Sequence, residues 1–469
     1  MKEDLTTGQE AEHLLAEHRR FFHTETTRDV SFRIEHLKKV QKTIEAHEEE
    51  IYSALQADLG KSPFETYLTE IGIILNSISD AIKNVKTWSK PEKVKTPTYM
   101  QPSKNYIVHE PYGTVLIIGP FNYPFQLLME PLIGAIAAGN CAVLKASEHT
   151  PATGRLIKKM LADIFDPAYV RVVEGGVDTG NALIHSRFDY IFFTGSSRVG
   201  KIVMEAASKN LTPFTLELGG KAPAVVHKDA DLKKAAERIA WGKLINTGQT
   251  CIAPDYVMVH EKAKKRFVKL LQKKIDKFYG DDIQNNEDYG RIINEKHFDR
   301  LKAMLDADRD AVVYGGAHDR ADRFIEPTIL DISSRRDAAS MQEEVFGPIL
   351  PVLTYSDIDA AVADVNAQSK PLAFYLFTEN EKLQTKIMER ASYGGGCVND
   401  TIMHVANPHL PFGGVGPSGM GEYHGYYTFQ TFSNQKGVSN RSTRIRVPFL
   451  YPPYKNKLNI AKKMLKMGN

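Results

Sequence analysis

Short apolar runs alternate with helical patterns through most of this 469-residue chain, and this alternation restricts the folds that are open to it. The first run, at 113–119, is apolar between two glycines, which is typical of a strand buried on both faces. Similar runs follow at 141–144, 170–173, 190–193 and 213–216, with helical patterns between them. Strands that alternate with helices predict a parallel, doubly wound sheet. Such sheets bind ligands at the carboxyl ends of their strands.

A second alternating set begins after residue 220 and predicts a second α/β domain. Strand-like runs lie at 224–226, 256–260, 349–353 and 373–377, and the pattern at 231–247 predicts a helix. Before the first strand, apolar residues spaced by three and four predict helices from about residue 10 to 90. Prolines in the segment 91–102 predict a break that leads to an exposed hairpin or arm.

Composition narrows the class of protein. The chain is 42% apolar and 25% charged, as in ordinary globular proteins, and its net charge of +3 gives no indication of a nucleic-acid partner. Cys141, Cys251 and Cys397 are widely spaced, which argues against a disulfide framework or a zinc site. We see no secretory signal and no apolar stretch long enough for a membrane span. We therefore expect a cytoplasmic protein without a metal.

The cysteine in Gly248-Gln249-Thr250-Cys251 has two interpretations. Small polar residues precede it and Ile-Ala-Pro follows, so the thiol is either a nucleophile or a packed side chain. The local sequence does not distinguish these alternatives. The decision depends on what the strand-end loops bring to the thiol.

Two loops of the first domain carry candidate binding residues. Asn122 follows the first strand, where its amide could donate to an oxyanion or support its own turn. Lys145 and Glu148 follow the second strand, where they could bind ribose. Alternatively, that segment is only a helix entry, with Ser147 or Thr150 as the N-cap.

A third loop contains Gly195 and Ser196 in a small-residue turn that opens a helix. The segment 195–201 nearly fits a P-loop, but Ile202 stands where a magnesium-binding hydroxyl is needed. The turn instead suits a pyrophosphate at a helix N-terminus. The GxGxxG letters at 414–419 contain a proline and do not lie between a strand and a helix, so we do not interpret them as a dinucleotide fingerprint.

Three further residues have paired interpretations. Leucines flank Glu217, so burial should raise its pKa and make it a better general base; alternatively, it caps the glycine turn that follows. Glu344 and Phe346 are two residues apart, so in an extended segment they would face the same way and could hold a ribose with its ring. Alternatively, they belong to an ordinary loop.

Taken in this order, the motifs resemble the aldehyde dehydrogenase superfamily over about residues 10–440. The segment Gly248-Gln-Thr-Cys-Ile-Ala-Pro-Asp-Tyr256, the glycine-rich segment 410–421 and Tyr423-His424-Gly425 are most similar to class 3, the fatty and aromatic aldehyde dehydrogenases. The fold implied is a Rossmann-like cofactor domain, an α/β catalytic domain and a small β oligomerisation arm. The function implied is NAD(P)-dependent oxidation of aldehydes to carboxylic acids.

The resemblance also implies roles for the reacting residues. Cys251 would attack the aldehyde to form a thiohemiacetal, and the Asn122 amide with the Cys251 backbone N–H would hold the oxyanion. Glu217 would activate the water that hydrolyses the resulting thioester. Tyr123 and Trp241 would form walls of an apolar tunnel for medium- or long-chain aliphatic or aromatic aldehydes. The alternative is that both are core aromatics.

The remaining motifs are implied to bind the cofactor. Lys145 and Glu148 would hold the adenosine ribose and the turn at Ser196 the pyrophosphate, whereas Glu344 and Phe346 would hold the nicotinamide end. A carboxylate at 148 should repel a 2′-phosphate, so we expect NAD, with NADP as the alternative.

The resemblance implies domain limits and a homodimer. The NAD(P)-binding domain would comprise 1–90 and 108–217, and the catalytic domain 218–410. The oligomerisation element and closing loops would comprise 91–107 and 411–450. The tail, 451–469, is basic: from Arg441 onward the chain has eight Lys or Arg and no Asp or Glu. It could touch an anionic membrane weakly, but we favour a solvated or dimer-packing tail.

Three rival functions remain open at this point. An aldehyde dehydrogenase that passes its thioester to coenzyme A usually lacks the base carboxylate, so Glu217 argues for hydrolysis. A cysteine hydrolase without redox chemistry would need a histidine that activates Cys251 and would not need the nucleotide loops. A non-catalytic scaffold would not need the complete set of site residues.

Overall fold

The computed structural model describes residues 4–444 and 450–466. The strands are, in chain order, β1 (Glu92–Lys93), β2 (Ser103–Pro111), β3 (Thr114–Ile118), β4 (Cys141–Lys145), β5 (Val170–Val173), β6 (Tyr190–Thr194), β7 (Phe214–Glu217), β8 (Pro223–Val226), β9 (Tyr256–His260), β10 (Val312–Tyr314), β11 (His318–Asp319), β12 (Phe324–Ile325), β13 (Thr328–Ser333), β14 (Ile349–Tyr355), β15 (Ala373–Phe377), β16 (Gly395–Val398), β17 (Gly419–Met420) and β18 (Ser433–Arg441).

The α-helices are α1 (Gly8–Phe22), α2 (Val30–Ala46), α3 (Glu48–Leu59), α4 (Pro63–Thr66), α5 (Gly72–Trp88), α6 (Gln126–Ala138), α7 (Pro151–Ala162), α8 (Val177–Ile184), α9 (Ser197–Asn210), α10 (Leu232–Leu244), α11 (Glu261–Tyr279), α12 (Glu295–Ala307), α13 (Ala339–Gln342), α14 (Ile358–Asn366), α15 (Glu381–Arg390), α16 (Tyr426–Thr431) and α17 (Leu458–Lys466). A π-helical turn, Tyr67–Ile71, joins α4 to α5.

The first sheet is the predicted doubly wound sheet. Its order is β17-β7-β6-β3-β4-β5, and all neighbours are parallel except β17, which runs antiparallel to β7. Strands β4 and β6 are buried over their whole length, as their continuous apolar sequences predict. The register pairs Ile118 with Lys145 and Thr194 with Glu217, so these strands end at one edge of the sheet. The loops after β3, β4, β6 and β7 therefore meet there.

The second sheet has seven strands in the order β10-β13-β14-β9-β8-β15-β16. Its neighbours are parallel except for β10, which is antiparallel to β13. This is the predicted second α/β unit. Apolar residues of this sheet and of helices α12 and α14 form a core cluster that includes Phe298, Leu330 and Val362.

A third sheet, β1-β2-β18, is the predicted arm. Strand β18 pairs antiparallel with β2 over nine residues, from Ser433 opposite Pro111 to Arg441 opposite Ser103. The pairing joins two segments far apart in sequence. The prolines at the start of the arm predicted the break after α5, but only the fold reveals its second long strand.

Several helix limits differ from the sequence prediction. The helix predicted at 231–247 ends at Leu244, because Asn246 and Thr247 have φ angles of +52° and +54°. The helical region predicted from about residue 10 to 90 begins at Gly8 and ends at Trp88. Helix α6 is buried at every position. Its sequence is apolar on all sides, which is typical of a core helix.

In the described ranges, 4–444 and 450–466, no helix is long and apolar enough to cross a membrane. The same ranges contain no cluster of three or more His, Cys, Asp or Glu side chains arranged to hold a metal ion.

The N-terminus of α7 is capped by a side chain from α3. Asp58, which is buried, accepts hydrogen bonds from the backbone N–H groups of Ala152 at 3.1 Å and Thr153 at 2.8 Å. Thr150 occupies the N-cap position, as one of the two predicted alternatives, but its side chain forms no cap bond. Ser147 accepts from the His149 N–H but does not cap the helix.

We expect Asp58→Ala to lower the free energy of unfolding by about 1–3 kcal/mol, because two buried N–H groups lose their acceptor. Urea unfolding followed by circular dichroism measures this change. Asp58→Asn keeps one acceptor oxygen and should lose less stability. Equal unfolding midpoints for the Ala variant and the unaltered protein would contradict the capping role.

Candidate active site

Cys251 lies at the end of a tight turn that follows α10. Residues 246–248 all have left-handed backbone conformations, and Gly248 has a φ of +77°. A Cβ atom on Gly248 would lie 2.2 Å from the Gly347 carbonyl oxygen, so no larger residue fits there without rearrangement. Because of this turn, Cys251 faces a cavity, and its side chain stays partly exposed.

Buried amide side chains hold the turn. The Asn246 side-chain amide donates to the Asn122 carbonyl at 2.7 Å and to the Gln249 carbonyl at 3.1 Å. Gln249 in turn donates to the Arg291 carbonyl at 3.0 Å and accepts from the Ile293 N–H at 2.9 Å. The cysteine turn is thus attached to the loop after β3 on one side and to the segment before α12 on the other.

Glu217 is the last residue of β7 and is 1% exposed. Neither of its carboxylate oxygens has a hydrogen-bond partner in the part of the chain that the structure describes. The alternative that it caps the Gly219-Gly220 turn is therefore wrong. Burial raises the pKa of Glu217 to about 8, and interaction with the Cys251 thiol opposes that rise. The pKa increase predicted from the flanking leucines is confirmed.

The pKa of Cys251 lies well above its ordinary value. Burial is the largest cause, and the nearby carboxylates of Glu217 and Glu344 add to it. Without other groups bound, the thiol and Glu217 therefore both retain their protons at neutral pH. Acidity does not distinguish Cys251 from Cys141, inside β4, because burial also raises the pKa of Cys141 to about 12. The contrast lies in access, because Cys141 is fully buried whereas Cys251 faces the cavity.

Asn122 lies in the loop after β3 and is 3% exposed. Its backbone carbonyl accepts from Asn246 and, at 3.4 Å, from the Lys61 ammonium. Among the described residues its side-chain amide forms no hydrogen bond, so the alternative of an asparagine that supports its own turn is wrong. The amide remains available as a donor.

A cavity of about 630 Å³ contains Cys251, Tyr123 and Trp241 in its wall. The Tyr123 hydroxyl is 2.6 Å from the Thr250 hydroxyl, next to Cys251. The other wall residues are mostly apolar: Tyr67, Leu68, Thr69, Gly72, Ile73, Asn76, Ser77, Gln126, Leu127, Ile245, Thr250, Ile252, Ile402, Met403, Val405, Ala406, Pro408, Phe412, Tyr423 and His424. The sequence does not predict that residues of 67–77 or 402–412 line a cavity. No local sequence pattern identifies these wall residues, because the cavity forms only when the two segments meet.

The carboxylate of Glu344 lies against the backbone at Gly219. A Cβ atom on Gly219 would be 2.3 Å from a Glu344 oxygen. Burial raises the pKa of Glu344 to about 8, with Asp255 as the next cause. The Phe346 ring meets the Phe121 ring edge-on at 5.8 Å. Phe346 has a φ of +48°, so the predicted extended alternation with Glu344 is wrong.

The first-domain loops also gather at the sheet edge. Lys145, at the end of β4, donates to Glu148 at 2.6 Å, and the Glu148 side chain is 34% exposed. Ser196 is the N-cap of α9 and accepts from the Val199 N–H at 3.4 Å. The Gly195 N–H donates to the Glu217 carbonyl at 3.0 Å, which joins this turn directly to the end of β7.

Charged residues without a predicted role support Glu344. The Lys221 ammonium pairs with Asp255 and donates to the Glu343 carbonyl at 2.8 Å. Asp255 accepts from the Val345 N–H at 2.8 Å, and Arg300 donates to the Glu344 carbonyl at 3.1 Å. The local sequence indicates no role for Lys221, since its partners lie more than 30 residues away.

A Rossmann-like sheet, a second α/β sheet and a thiol in an apolar cavity are the features of a nucleotide-dependent oxidoreductase. Residues 3–438 match the family described as "Aldehyde dehydrogenase family". This protein belongs to that family, and it oxidises aldehydes to carboxylic acids.

Individual relatives agree with this assignment. The chain is 53% identical to 4,4'-diaponeurosporen-aldehyde dehydrogenase of Staphylococcus aureus, over 95% of this chain and 97% of the relative. It is 44% identical to aldehyde dehydrogenase family 3 member H1 of Arabidopsis thaliana, over 97% and 95% of the two chains. It is also 44% identical to the aldehyde dehydrogenase of Rattus norvegicus named "dimeric NADP-preferring", over 90% and 93%. The predicted resemblance to class 3 is confirmed.

A solved structure described as the substrate-bound state of Staphylococcus aureus AldH superimposes with a TM-score of 0.95. The two chains are 52% identical, and the match covers 97% of this chain and 99% of the other. The predicted fold class is therefore confirmed.

We expect Glu217→Gln to speed alkylation of Cys251 by iodoacetamide between about pH 8 and 10. Above its pKa of about 8 the Glu217 carboxylate is charged, and its charge raises the pKa of the thiol. The neutral amide removes that charge, so the thiolate fraction increases and alkylation accelerates. Peptide mapping by mass spectrometry separates Cys251 from Cys397, whose rate serves as the internal control. A slower or unchanged rate at Cys251 would contradict the electrostatic coupling.

Proposed function

We propose that Cys251 is the nucleophile for aldehyde oxidation and that Asn122 and Glu217 assist it. The Cys251 thiol releases its proton to solvent, its sulfur bonds to the carbonyl carbon of the aldehyde, and the electron pair of the C=O π bond moves to the oxygen, which becomes an oxyanion. The free amide of Asn122 and the Cys251 backbone N–H donate to that oxygen. When bound, the nicotinamide cofactor supplies the hydride acceptor that this oxidation requires. The observation that carries the proposal is the contact between Glu217 and the Cys251 thiol, beside a cysteine turn to which the backbone of Asn122 is hydrogen-bonded through Asn246.

Glu217 serves the hydrolytic half of the reaction. Its buried carboxyl group has a pKa of about 8, so the fraction that is ionised near neutral pH is a stronger base than an ordinary carboxylate and accepts a proton from water. The hydroxide bonds to the thioester carbon and the C–S bond breaks. The carboxylic acid then leaves and the thiol takes back a proton.

The nucleotide loops fit NAD. Ser196 opens the 14-residue helix α9, whose N-terminus suits a pyrophosphate, and the partly exposed Glu148 can accept from ribose hydroxyls. Glu344 and Phe346 would hold the nicotinamide end. We propose NAD as the preferred cofactor because the Glu148 carboxylate would repel a 2′-phosphate. The rat relative, named NADP-preferring, makes NADP the alternative.

We propose medium- or long-chain aliphatic and aromatic aldehydes as substrates. The apolar walls of the cavity, including Trp241 and the ring of Tyr123, favour such groups over charged ones. The Staphylococcus aureus relative is named as a 4,4'-diaponeurosporen-aldehyde dehydrogenase, which supports an aldehyde as the substrate.

The geometry disfavours two rival reactions. Transfer of the acyl group to coenzyme A would not need a buried base, yet Glu217 lies at the thiol. A non-redox cysteine hydrolase would need an activating histidine. His424 lines the cavity, but its Nδ1 bonds the Val405 carbonyl at 3.2 Å, and burial lowers its pKa to about 4.

We further propose a cytoplasmic homodimer. The rat relative is named dimeric, and the three-stranded arm with residues 411–450 would form the oligomerisation element. The domain limits remain as proposed from the sequence: 1–90 with 108–217 for the cofactor and 218–410 for catalysis. Three free cysteines support a reducing compartment.

The C-terminal tail has two proposed partners. Helix α17 exposes Leu458, Ile460 and Leu465 beside Lys462 and Lys463. Such a helix suits weak contact with an anionic membrane. We favour packing against the second protomer or exposure to solvent, because so short a helix offers a membrane little apolar area.

We expect the pure protein to reduce NAD in the presence of medium-chain or aromatic aldehydes, measured by absorbance of the reduced cofactor. Cys251→Ala should abolish turnover, because no other group in the cavity wall can form the thioester. Glu217→Gln should retain a first burst of reduced cofactor and lose steady-state turnover by about 100-fold or more, because thioester hydrolysis lacks its base. Cys397→Ala is the matched control and should retain turnover. Unchanged turnover in Cys251→Ala would exclude it as the nucleophile.

We expect Glu148→Gln to shift cofactor use toward NADP. The substitution removes the repelling carboxylate and frees the Lys145 ammonium to pair with a 2′-phosphate. The ratio of kcat/KM for NADP to that for NAD should rise by roughly tenfold, from loss of one charge–charge interaction. Glu50→Gln, an exposed carboxylate on α3, should leave the ratio unchanged. A fall in the ratio would contradict this role for Glu148.

A further inference from the structure

An ion pair between Lys61 and Glu70 is buried behind the cavity. The ammonium and a carboxylate oxygen are 2.5 Å apart, and the two side chains are 1% and 0% exposed. Glu70 lies in the π-helical turn between α4 and α5, whose neighbouring residues Tyr67, Leu68 and Thr69 line the cavity. Removing two charges from water is costly unless further hydrogen bonds hold them, so the other contacts of this pair are informative.

The second oxygen of Glu70 caps the start of α6. It accepts from the Phe125 N–H at 2.9 Å and the Gln126 N–H at 3.2 Å. Phe125, the N-cap residue, provides no side-chain cap of its own. Glu70 therefore fixes the position at which the loop after β3 becomes helix, three residues beyond Asn122.

Lys61 contacts the other end of the same turn. Its ammonium donates to the Asn122 carbonyl at 3.4 Å and lies 4.3 Å from the centroid of the Tyr123 ring. One ion pair thus holds the backbone on both sides of the turn formed by 122–126. The Tyr123 hydroxyl forms a hydrogen bond with the hydroxyl of Thr250, the residue before Cys251.

The cysteine turn is attached to this arrangement from the opposite side. The Asn246 side chain donates to the same Asn122 carbonyl, and the Asn246 N–H donates to Glu65 at 2.8 Å. Glu65 lies in α4, between Lys61 and Glu70 in sequence. The segment 61–70 therefore contacts both the Asn122 turn and the turn that presents Cys251.

We propose that the Lys61–Glu70 ion pair is a positioning element for the reaction, which holds the Asn122 amide in register with the Cys251 sulfur. The proposal rests on the role of Asn122 as oxyanion donor. Neither Lys61 nor Glu70 is part of the cavity wall, so the pair acts through the backbone of the turn rather than on the aldehyde. Small displacements of a donor from a developing oxyanion reduce its stabilisation strongly.

A double-mutant cycle tests the proposal, with the rate of the hydride burst in rapid-mixing experiments as the readout. Asn122→Ala should slow the burst by about 100-fold, as expected for loss of one oxyanion donor. Glu70→Gln should slow it by roughly 10- to 100-fold, as expected for a misplaced donor, and leave KM for NAD unchanged. In the Asn122→Ala background, Glu70→Gln should slow it by less than about threefold, because coupled residues are not additive.

The possible outcomes separate the proposal from its premise. A wild-type burst in Asn122→Ala would refute the oxyanion role of Asn122. A slow burst in Asn122→Ala together with fully additive effects of Glu70→Gln would refute the positioning role alone. Asp58→Asn is the matched control: it makes the same change in another buried carboxylate that caps a helix, and it should leave the burst rate unchanged.

Glu70→Gln leaves a buried ammonium without its partner, which destabilises the fold. A second variant therefore tests the proposal in case Glu70→Gln does not fold. Lys61→Met combined with Glu70→Gln removes both charges and nearly preserves side-chain length. This protein should fold, as judged by circular dichroism, and should retain the slow burst because the Asn122 carbonyl has lost one of its two donors. A wild-type burst rate in this variant would overturn the proposal.

Discussion

The exclusion of water from one small volume controls the chemistry of this protein. A thiol and two carboxylates, those of Cys251, Glu217 and Glu344, share a region where burial is the largest cause of every pKa shift. Each group is thereby held in its neutral form at neutral pH. That state avoids three like charges in a medium of low dielectric constant. It also makes the ionisation of Glu217 and of the Cys251 thiol responsive to any charge that is bound next to them.

The rest of the fold serves to keep that volume closed and its walls in register. The parallel sheet brings the ends of β3, β4, β6 and β7 to one edge. The cysteine turn adopts consecutive left-handed residues that only a dense set of hydrogen bonds can maintain. The Lys61–Glu70 pair contacts the backbone of the Asn122 turn, and the Lys221–Asp255 pair contacts the backbone on either side of Glu344. The rigidity of the site therefore comes from groups that do not face the aldehyde.

The sequence predicted much of the fold because its signals are local. Continuous apolar strands and three-to-four spacing located both sheets, and the flanking leucines predicted the raised pKa of Glu217. The failures have a common physical origin. The sequence predicts that α10 continues through Asn246 and Thr247, but the helix ends before them because their left-handed conformations depend on distant partners, Glu65 and Asn122. The sequence also predicts an extended Phe346, whose φ is +48° in the structure. At the start of α7, Asp58 from α3 provides the cap bonds that the Thr150 side chain does not form.

Local sequence patterns predict the order of strands and helices, the family and the identity of the residues with reactive side chains. Periodicity and motif spacing carry that information because they reflect backbone conformation within a few residues. The choice between the interpretations of each residue required the folded structure: Asn122 leaves its amide free, Glu217 does not cap the turn that follows it, and segments 67–77 and 402–412 enclose a cavity. These properties depend on contacts between residues far apart in sequence, so no local pattern encodes them.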